Sequence, residues 1–334
     1  MNGQGACILA PAATNLSPGE VAFFRQADPW GFILFARNID TPDQVRALTA
    51  SLREAVGRDA PIFIDQEGGR VQRMGPPHWR QWLPPLEEAN SPLAPASFYY
   101  RAKIIAQELR AVGINANCVP CLDVATPKTH PFLRNRCLGT TADQVAQNAQ
   151  GVIDGSLSEG VMPVIKHMPG HGRSLADSHN EVPRVCADRA TLGASDFAVC
   201  RKFAHMRLGM TGHIIFDAID PRPATLSPVL IDLIRQDIGF DGLLMTDDIS
   251  MGALSGSIAQ RSTAAIAAGC DLVLHCNGEM AEMEAVVAAT GRLTDAGQTR
   301  ADAALAAWNH VAPGDIDTAS LVAMYEQSVK ENDA

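Results

Sequence analysis

The feature that most constrains the fold of this chain is a pattern that recurs eight times: a short apolar run, then a polar or Gly-rich loop, then an amphipathic helical stretch. The apolar runs are ACILA (6–10), WGFILFA (30–36), PIFID (61–65), INANCVPCLDV (114–124), VMPVIKH (161–167), LGMTGHIIF (208–216), GLLMTDD (242–248) and CDLVLHC (270–276). Near-continuous apolar strands that alternate with helices indicate a parallel sheet covered on both faces. Eight such units in about 290 residues predict an α/β fold, a (β/α)8 TIM-type barrel, which takes about 250 residues.

The helical stretches carry recognisable start and stop signals. Thr41 and Ser227 stand as N-caps before a proline, and the stretch that begins TTADQV ends at Gly160, a typical C-cap residue. A doubly wound open sheet is the alternative, but the loop after the first apolar run lacks the phosphate-binding GxGxxG of that fold. No linker or low-complexity tract divides the chain, so residues 1–334 are predicted to form a single catalytic domain. The Ala-rich segment from about 295 to 334 is predicted to be a helical tail without chemistry of its own.

Composition excludes several classes of function. The formal net charge of −10 disfavours nucleic acid or an anionic membrane as the main partner. No apolar run has the length of a spanning helix, and the N-terminus lacks the basic region of a signal peptide, so we expect a cytoplasmic protein. The expected oligomeric state is a monomer. Cys118 and Cys121 have CxxC spacing, but no second pair completes a zinc site and we expect no redox or metal role for them. No cofactor is expected.

Polar residues follow nearly every apolar run. They are Arg37 and Asn38, Asp65, Asp123, Lys166 and His167, His213, Asp247 and Asp248, and His275 and Asn277. In a parallel barrel the carboxyl ends of all strands converge on one mouth, where the active site lies. The shared position of these polar residues at the ends of the strands therefore predicts an enzyme.

Two carboxylate segments stand out. In FIDQEGGRVQRM (63–74), Asp65 precedes a Gly-Gly turn and Arg73, a combination suited to the hydroxyls of a sugar ring or to an ion pair that locks the loop. In GLLMTDDISMGAL (242–254), Asp247 and Asp248 are adjacent and point to opposite sides of a strand. Position alone leaves a nucleophile, a metal ligand and a helix cap open for the carboxylate at the mouth.

The stretch KHMPGHGRSLADSH (166–179) holds three histidines. A metal site would use His167, His171, His179 and Asp177, but the Pro and the two Gly exclude the helix that presents two His ligands on one face. A loop of this composition is suited to carry an acid or base to and from a site. Asp177 and His179 are spaced so that the carboxylate can bond one ring nitrogen and raise the basicity of the other.

Together these residues resemble glycoside hydrolase family 3, and in particular its compact bacterial β-N-acetylhexosaminidases of peptidoglycan recycling. IDQEGGRVQRM is close to the family's IDQEGGRVQRF, KHMPGHG…DSH fits KHFPGHG…DSH, and FDGLLMTDDISMGAL resembles the family's nucleophile segment. The resemblance runs from WGFILFARN to LVLHCN, which is most of the chain.

The resemblance implies a retaining exo-β-N-acetylglucosaminidase without a metal. Asp247 would be the nucleophile, His179 the general acid/base and Asp177 the group that orients it. The residues implied to hold N-acetylglucosamine are Asp65, Arg73, Arg136, Lys166 and His167. The chain departs from the family after the fourth apolar run, where Cys137 and Leu138 replace Ser-Phe and Arg134 competes with Arg136 for the binding role.

Six basic residues in these loops predict a positively charged mouth that favours a substrate with a carboxylate, such as a 1,6-anhydro-N-acetylmuramic acid or muropeptide. They are Arg70, Arg73, Arg134, Arg136, Lys166 and Arg173. Three alternatives stay open at this point: a family 3 phosphorylase or transglycosylase, a metal-dependent barrel hydrolase, and a sugar sensor without catalysis.

Overall fold

The computed structural model describes residues 3–91, 93–175, 182–308 and 316–330. The strands are β1 (Gly5–Leu9), β2 (Pro29–Leu34), β3 (Ile62–Ile64), β4 (Ala116–Asn117), β5 (Met162–Pro163), β6 (Ile165–Met168), β7 (Arg184–Val185), β8 (Leu208–Thr211), β9 (Ile215–Phe216), β10 (Leu243–Asp248) and β11 (Leu272–His275). The α-helices are α1 (Pro18–Ala27), α2 (Pro42–Val56), α3 (Pro85–Glu88), α4 (Ala94–Ala111), α5 (Pro131–Arg134), α6 (Ala142–Ser158), α7 (Arg189–Ala194), α8 (Asp196–Lys202), α9 (Pro228–Asp232), α10 (Ile258–Ala268), α11 (Met280–Thr290), α12 (Asp295–Trp308) and α13 (Thr318–Lys330).

The strands form a parallel barrel, as the sequence predicts. Nine of them pair in the order β5-β4-β3-β2-β1-β11-β10-β8-β6. β5 and β6 are consecutive pieces of one strand, separated only by Val164, and this strand brings the two edges of the sheet together. The Val164 N–H donates to the Asn117 carbonyl at 3.0 Å, and the Lys166 N–H donates to the Pro120 carbonyl at 3.1 Å. Eight strand positions therefore encircle the barrel, and the fold is of the (β/α)8 type.

Alternation along each strand separates an inner core from an outer one. In β1, Ala6 and Ile8 belong to the buried cluster inside the barrel, whereas Cys7 and Leu9 belong to the cluster shared with the surrounding helices. Phe63 and Met245 are fully buried inside the barrel. Burial of side chains of this size contributes about 1.5–3 kcal/mol each, so the barrel is a rigid frame for the loops at its mouth.

The predicted helix starts are confirmed at two sites. The Thr41 side chain caps α2 by accepting from the Gln44 N–H, and the Ser227 side chain caps α9 in the same way. One predicted boundary is slightly wrong: α6 ends at Ser158 with Glu159 as C-cap, and Gly160 follows with φ of 71°. In the described part of the chain, no helix is both long and apolar enough to cross a membrane.

Candidate active site

A cavity opens at the carboxyl ends of the barrel strands. It is lined by Phe35, Asp65, Arg70, Val71, Arg73, Phe132, Arg136, Lys166, His167, His171, Met210, Asp247, Asp248, Met251, Leu274 and Cys276. Six of the eight residues predicted from the sequence as catalytic or sugar-binding are in this lining. The other two, Asp177 and His179, lie outside the described residues.

Asp65 stands directly after β3 and is held by two cations. Its Oδ1 accepts from Lys166 Nζ at 2.8 Å, and its Oδ2 accepts from Arg73 Nη2 at 3.1 Å. Burial opposes ionisation of this carboxyl, but attraction by Lys166 and Arg73 exceeds that penalty and holds the pKa of Asp65 well below its usual range. Asp65 therefore enters the cavity as a carboxylate, able to accept hydrogen bonds from the hydroxyl groups of a ligand.

Glu67 is a site residue that sequence reasoning missed. Its two carboxylate oxygens accept from Arg136 Nε at 2.9 Å and Arg136 Nη2 at 2.7 Å, in a bidentate pair. Lys166 Nζ lies 2.6 Å from the same carboxylate. Burial raises the pKa of Glu67, but attraction by Arg136 and then by Lys166 outweighs this effect. The pKa of Glu67 therefore falls to about 2. Glu67 fixes the guanidinium of Arg136 at the cavity wall.

The structure separates Arg136 from its competitor Arg134. Arg134 donates through Nη1 to the Thr126 carbonyl and braces its own loop. Arg173 likewise pairs with Asp196 at 2.7 Å, away from the cavity lining. The mouth is thus less positive than the six basic residues suggest, since Arg73, Arg136 and Lys166 face carboxylates.

His167, on β6, is held between two carboxylates. Its Nδ1 lies 2.7 Å from Asp123 Oδ2, and its Nε2 lies 4.0 Å from Asp247 Oδ2. Because an ionised carboxylate only accepts hydrogen bonds, Nδ1 carries the proton that points to Asp123. The other ring nitrogen faces the cavity and is 3.5 Å from Arg136 Nη2.

Asp247 and Asp248 end β10 and have different surroundings, as their adjacency predicts. Asp247 Oδ1 accepts from the Asp248 N–H at 2.8 Å. Burial raises the pKa of Asp247, but His167 and His213 more than offset it, so the net pKa is lowered and the group is ionised near neutral pH. Asp248 instead accepts from the Ser250 hydroxyl at 2.7 Å and shapes the following turn. The two carboxylates therefore differ in their contacts, although both line the cavity.

A model of the glycosyl hydrolase family 3 N-terminal domain matches residues 23–307. The chain belongs to this family. A β-hexosaminidase of Alkalilimnicola ehrlichii is 35% identical over 300 residues, which cover 87% of this chain and 85% of that protein. A β-hexosaminidase of Pseudomonas aeruginosa is 34% identical over 295 residues, 87% of each chain. The crystal structure of native NagZ from Neisseria gonorrhoeae superposes with a TM-score of 0.82 at 27% identity, covering 98% of this chain and 96% of that one.

Membership of family 3 makes the protein a glycosidase, as the resemblance implied. A carbohydrate is therefore its substrate, and the cavity of ion-paired polar groups is the candidate sugar site.

Two further histidines lie near the site. His171 is 6% exposed, and its ring centre is 5.5 Å from that of His167. Burial lowers the pKa of His171 to about 4, so its ring is neutral near neutral pH. His213 bonds Thr225 through Nδ1 at 2.8 Å and the Asp248 carbonyl through Nε2 at 2.9 Å. His213 thus supports the end of β10.

Of the metal set considered from the sequence, only His167 and His171 are described. Among the described residues, one different group brings three metal-binding side chains together: Cys121, Asp123 and His167. Cys118 is not a member of it.

Proposed function

We propose that this family 3 glycosidase is a retaining exo-β-N-acetylglucosaminidase that removes the non-reducing terminal residue. The proposal is supported first by the β-hexosaminidases that match most of the chain. The observation that carries the mechanism is the ionised Asp247 carboxylate in the same cavity lining as Asp65, Arg73 and Lys166. A carboxylate that is not paired with Lys or Arg among the described residues, beside hydroxyl-binding groups, fits nucleophilic attack on a sugar ring.

In the proposed first step, Asp247 attacks the anomeric carbon while the glycosidic bond breaks. His179 gives its proton to the departing oxygen, and a glycosyl ester forms on Asp247. In the second step His179 takes a proton from water, whose oxygen attacks the same carbon and releases the sugar with retained configuration. Asp177 is proposed to orient His179. Both residues are proposed from the sequence motif, since they lie outside the described residues.

The sugar is proposed to bind through the ion-paired groups. Asp65 would accept hydrogen bonds from ring hydroxyls, and Lys166, Arg73 and Arg136 would donate to them. His167 would donate or accept through Nε2. Because these groups already bond one another, they are in position before the sugar arrives, and binding costs little further ordering.

The substrate is proposed to be a peptidoglycan fragment such as GlcNAc-1,6-anhydroMurNAc-peptide, handled in the cytoplasm by a single-domain monomer. The compact bacterial members of the family support this choice. A second feature is the exposed Arg70 in the lining of the mouth, a cation that a carboxylate on the leaving group could meet.

The decisive test is Asp247→Ala assayed with a chromogenic β-N-acetylglucosaminide. We expect turnover to fall roughly a thousandfold or more while N-acetylglucosamine still binds, because the nucleophile acts in the chemical step. The matched control is Asp241→Ala, an exposed residue just before β10, for which turnover should stay unchanged. Retained turnover in the Asp247 variant would refute the assignment of Asp247 as the nucleophile.

A second measurement separates a hydrolase from a phosphorylase. Release of GlcNAc-1-phosphate when phosphate is added would show a phosphorylase in place of a hydrolase.

A further inference from the structure

The candidate sugar cavity has a buried floor and an exposed rim. On the floor, the side chains of Lys166 and Arg136 are 2% and 12% exposed, and both pair with Glu67. On the rim, Arg70 lines the same cavity but is exposed, and Phe132 is partly buried. If the enzyme removes a terminal sugar, as proposed above, the floor holds that sugar and the leaving group extends to the rim.

Arg70 and Phe132 form a stacked pair at this rim, although they are 62 residues apart in the sequence. The guanidinium carbon of Arg70 lies 3.1 Å from the centre of the Phe132 ring, and Arg70 Nη2 donates to the Phe132 carbonyl. The face of a guanidinium is attracted to an aromatic ring, whereas its N–H donors lie in its plane and match the two oxygens of a carboxylate. Phe132 therefore orients an exposed arginine whose long side chain would otherwise sample many rotamers.

The short helix α5 fixes the position of Phe132. His130 caps this helix, and its Nδ1 accepts from the Phe132 N–H at 3.2 Å. Leu133, the next residue, is 3% exposed and belongs to a small buried cluster. Arg136 follows shortly after and pairs with Glu67 at the cavity wall. One short segment thus carries a residue of the rim and a residue of the floor.

The segment before α5 is also bonded to the loop that precedes the proposed general acid/base in the sequence. The His130 N–H donates to the Ser174 carbonyl at 2.9 Å, and the Thr129 hydroxyl donates to the Gly172 carbonyl. Ser174 precedes the proposed acid/base His179 by only five residues. In a glycosidase the general acid acts on the bond between the terminal sugar and the leaving group. These contacts therefore favour the leaving-group side of the cavity for the α5 segment.

We propose that Phe132 is a specificity-determining residue, which holds Arg70 at the rim as the receptor for a carboxylate on the leaving group. Arg70 makes the contact and Phe132 is the positioning residue. A neutral leaving group of the same shape forms no such ion pair, so the rim selects by charge. Phe132 lies after the fourth apolar run, where the sequence departs from the family, and the resemblance assigns it no role. The inference rests on the proposed glycosidase function.

The test compares two forms of one disaccharide, GlcNAc-β-1,4-MurNAc, with the lactyl group either as the free carboxylate or as the carboxamide. For the unaltered full chain, we expect kcat/KM to be about tenfold higher for the carboxylate. Arg70→Gln should remove this preference, and Phe132→Leu should reduce it roughly threefold because the guanidinium loses its stacking partner. Phe132→Tyr, which keeps the ring, should retain it. High salt should weaken the preference, since the pair is exposed.

The matched control is Lys128→Gln, which removes another exposed cation from the same loop and should leave the preference unchanged. Both substrates carry the same terminal sugar, so a change in the binding of that sugar cancels in the ratio of the two kcat/KM values.

An unaltered protein that cleaves both forms equally well would overturn the proposal, as would a preference that survives Arg70→Gln. A preference lost in Arg70→Gln but fully kept in Phe132→Leu would overturn the role of Phe132. An equal loss in Lys128→Gln would also contradict it, because the selection would then come from the general charge of the loop. Failure of the proposed function looks different, since the unaltered protein would cleave neither form.

Discussion

At the scale of single residues, Lys166 determines the charge arrangement of the cavity. Its ammonium contacts both Asp65 and Glu67 and is 2% exposed. Burial disfavours the charged form, but the two carboxylates outweigh it and raise the pKa of Lys166 above its ordinary value. A buried cation shared by two anions is sensitive to loss of any member, because each removal leaves an uncompensated charge.

We predict that Lys166→Ala lowers the free energy of unfolding by about 3 kcal/mol, since it leaves two buried carboxylates close together. The measurement is urea denaturation at neutral pH. Lys202→Ala is the control: Lys202 forms an ion pair with Asp143 at 2.8 Å, but both side chains are exposed, and the change should be within about 1 kcal/mol. Equal effects of the two substitutions on the unfolding free energy would contradict the role given to Lys166 between its two buried carboxylates.

The pKa values predict two windows, overlapping only near pH 4, in which acid destabilises the protein. Glu67 titrates at about 2 when folded and near 4.5 when unfolded, so its contribution to stability is present above pH 4.5 and is lost as the pH falls towards 2. His171 titrates at about 4 when folded and near 6.5 when unfolded, so its contribution is present above pH 6.5 and is lost as the pH falls towards 4. In each window the unfolded chain binds more protons than the folded one.

The measurement is the unfolding free energy as a function of pH. Glu67→Gln should flatten the curve between about pH 4.5 and 2, and His171→Gln should flatten it between about pH 6.5 and 4. Each variant serves as the control for the other. A slope unchanged in both windows would show that these groups titrate normally in the folded protein.

At the scale of elements, the sequence predicts the order and type of the barrel strands better than their lengths. The run at 114–124 is predicted as one strand, but β4 contains only Ala116 and Asn117. The reason is Pro120, which has no N–H to donate to a ladder, and the Val119 N–H turns back to the Asn117 carbonyl at 2.8 Å. The residues after β4 are irregular, and this freedom lets Cys121 and Asp123 both reach His167.

The sequence also predicts only some of the residues of the candidate site. Asp65, His167 and Asp247 could be found from the sequence because each stands at or near the end of an apolar run, and barrel geometry brings such ends together. Glu67 could not, because its partner Arg136 is 69 residues away and only the folded loops bring the two side chains into contact. The number of basic residues also could not show which arginines stabilise loops, since Arg134 and Arg136 differ only in the groups that they contact.

At the scale of the whole molecule, the C-terminal helix α13 is connected to the mouth of the barrel through buried polar contacts. The Tyr325 hydroxyl donates to Glu88 Oε2 at 3.2 Å. Glu88 also pairs with Arg101, which donates to the backbone carbonyl of Glu67. Gly68 lies against the same guanidinium at φ of 105°, where no larger residue would fit. A segment predicted to be without chemistry thus supports the turn that carries Glu67.

We therefore predict that Tyr325→Phe acts on substrate binding as well as on stability. Loss of one hydrogen bond to a charged group should lower the unfolding free energy by about 1.5–3 kcal/mol. Without the Tyr325 bond, Glu88 should hold Arg101 less firmly. The turn that carries Glu67 should then shift and loosen Arg136, which raises KM for the proposed N-acetylglucosaminide, while kcat, which depends on the proposed nucleophile Asp247, changes little. Met324→Ala on the same helix removes a 40% exposed side chain and should change stability by no more than about 0.5 kcal/mol. A lower stability with unchanged KM would mean that α13 only covers the barrel, because the connection from Tyr325 to the sugar site would then end at Glu88.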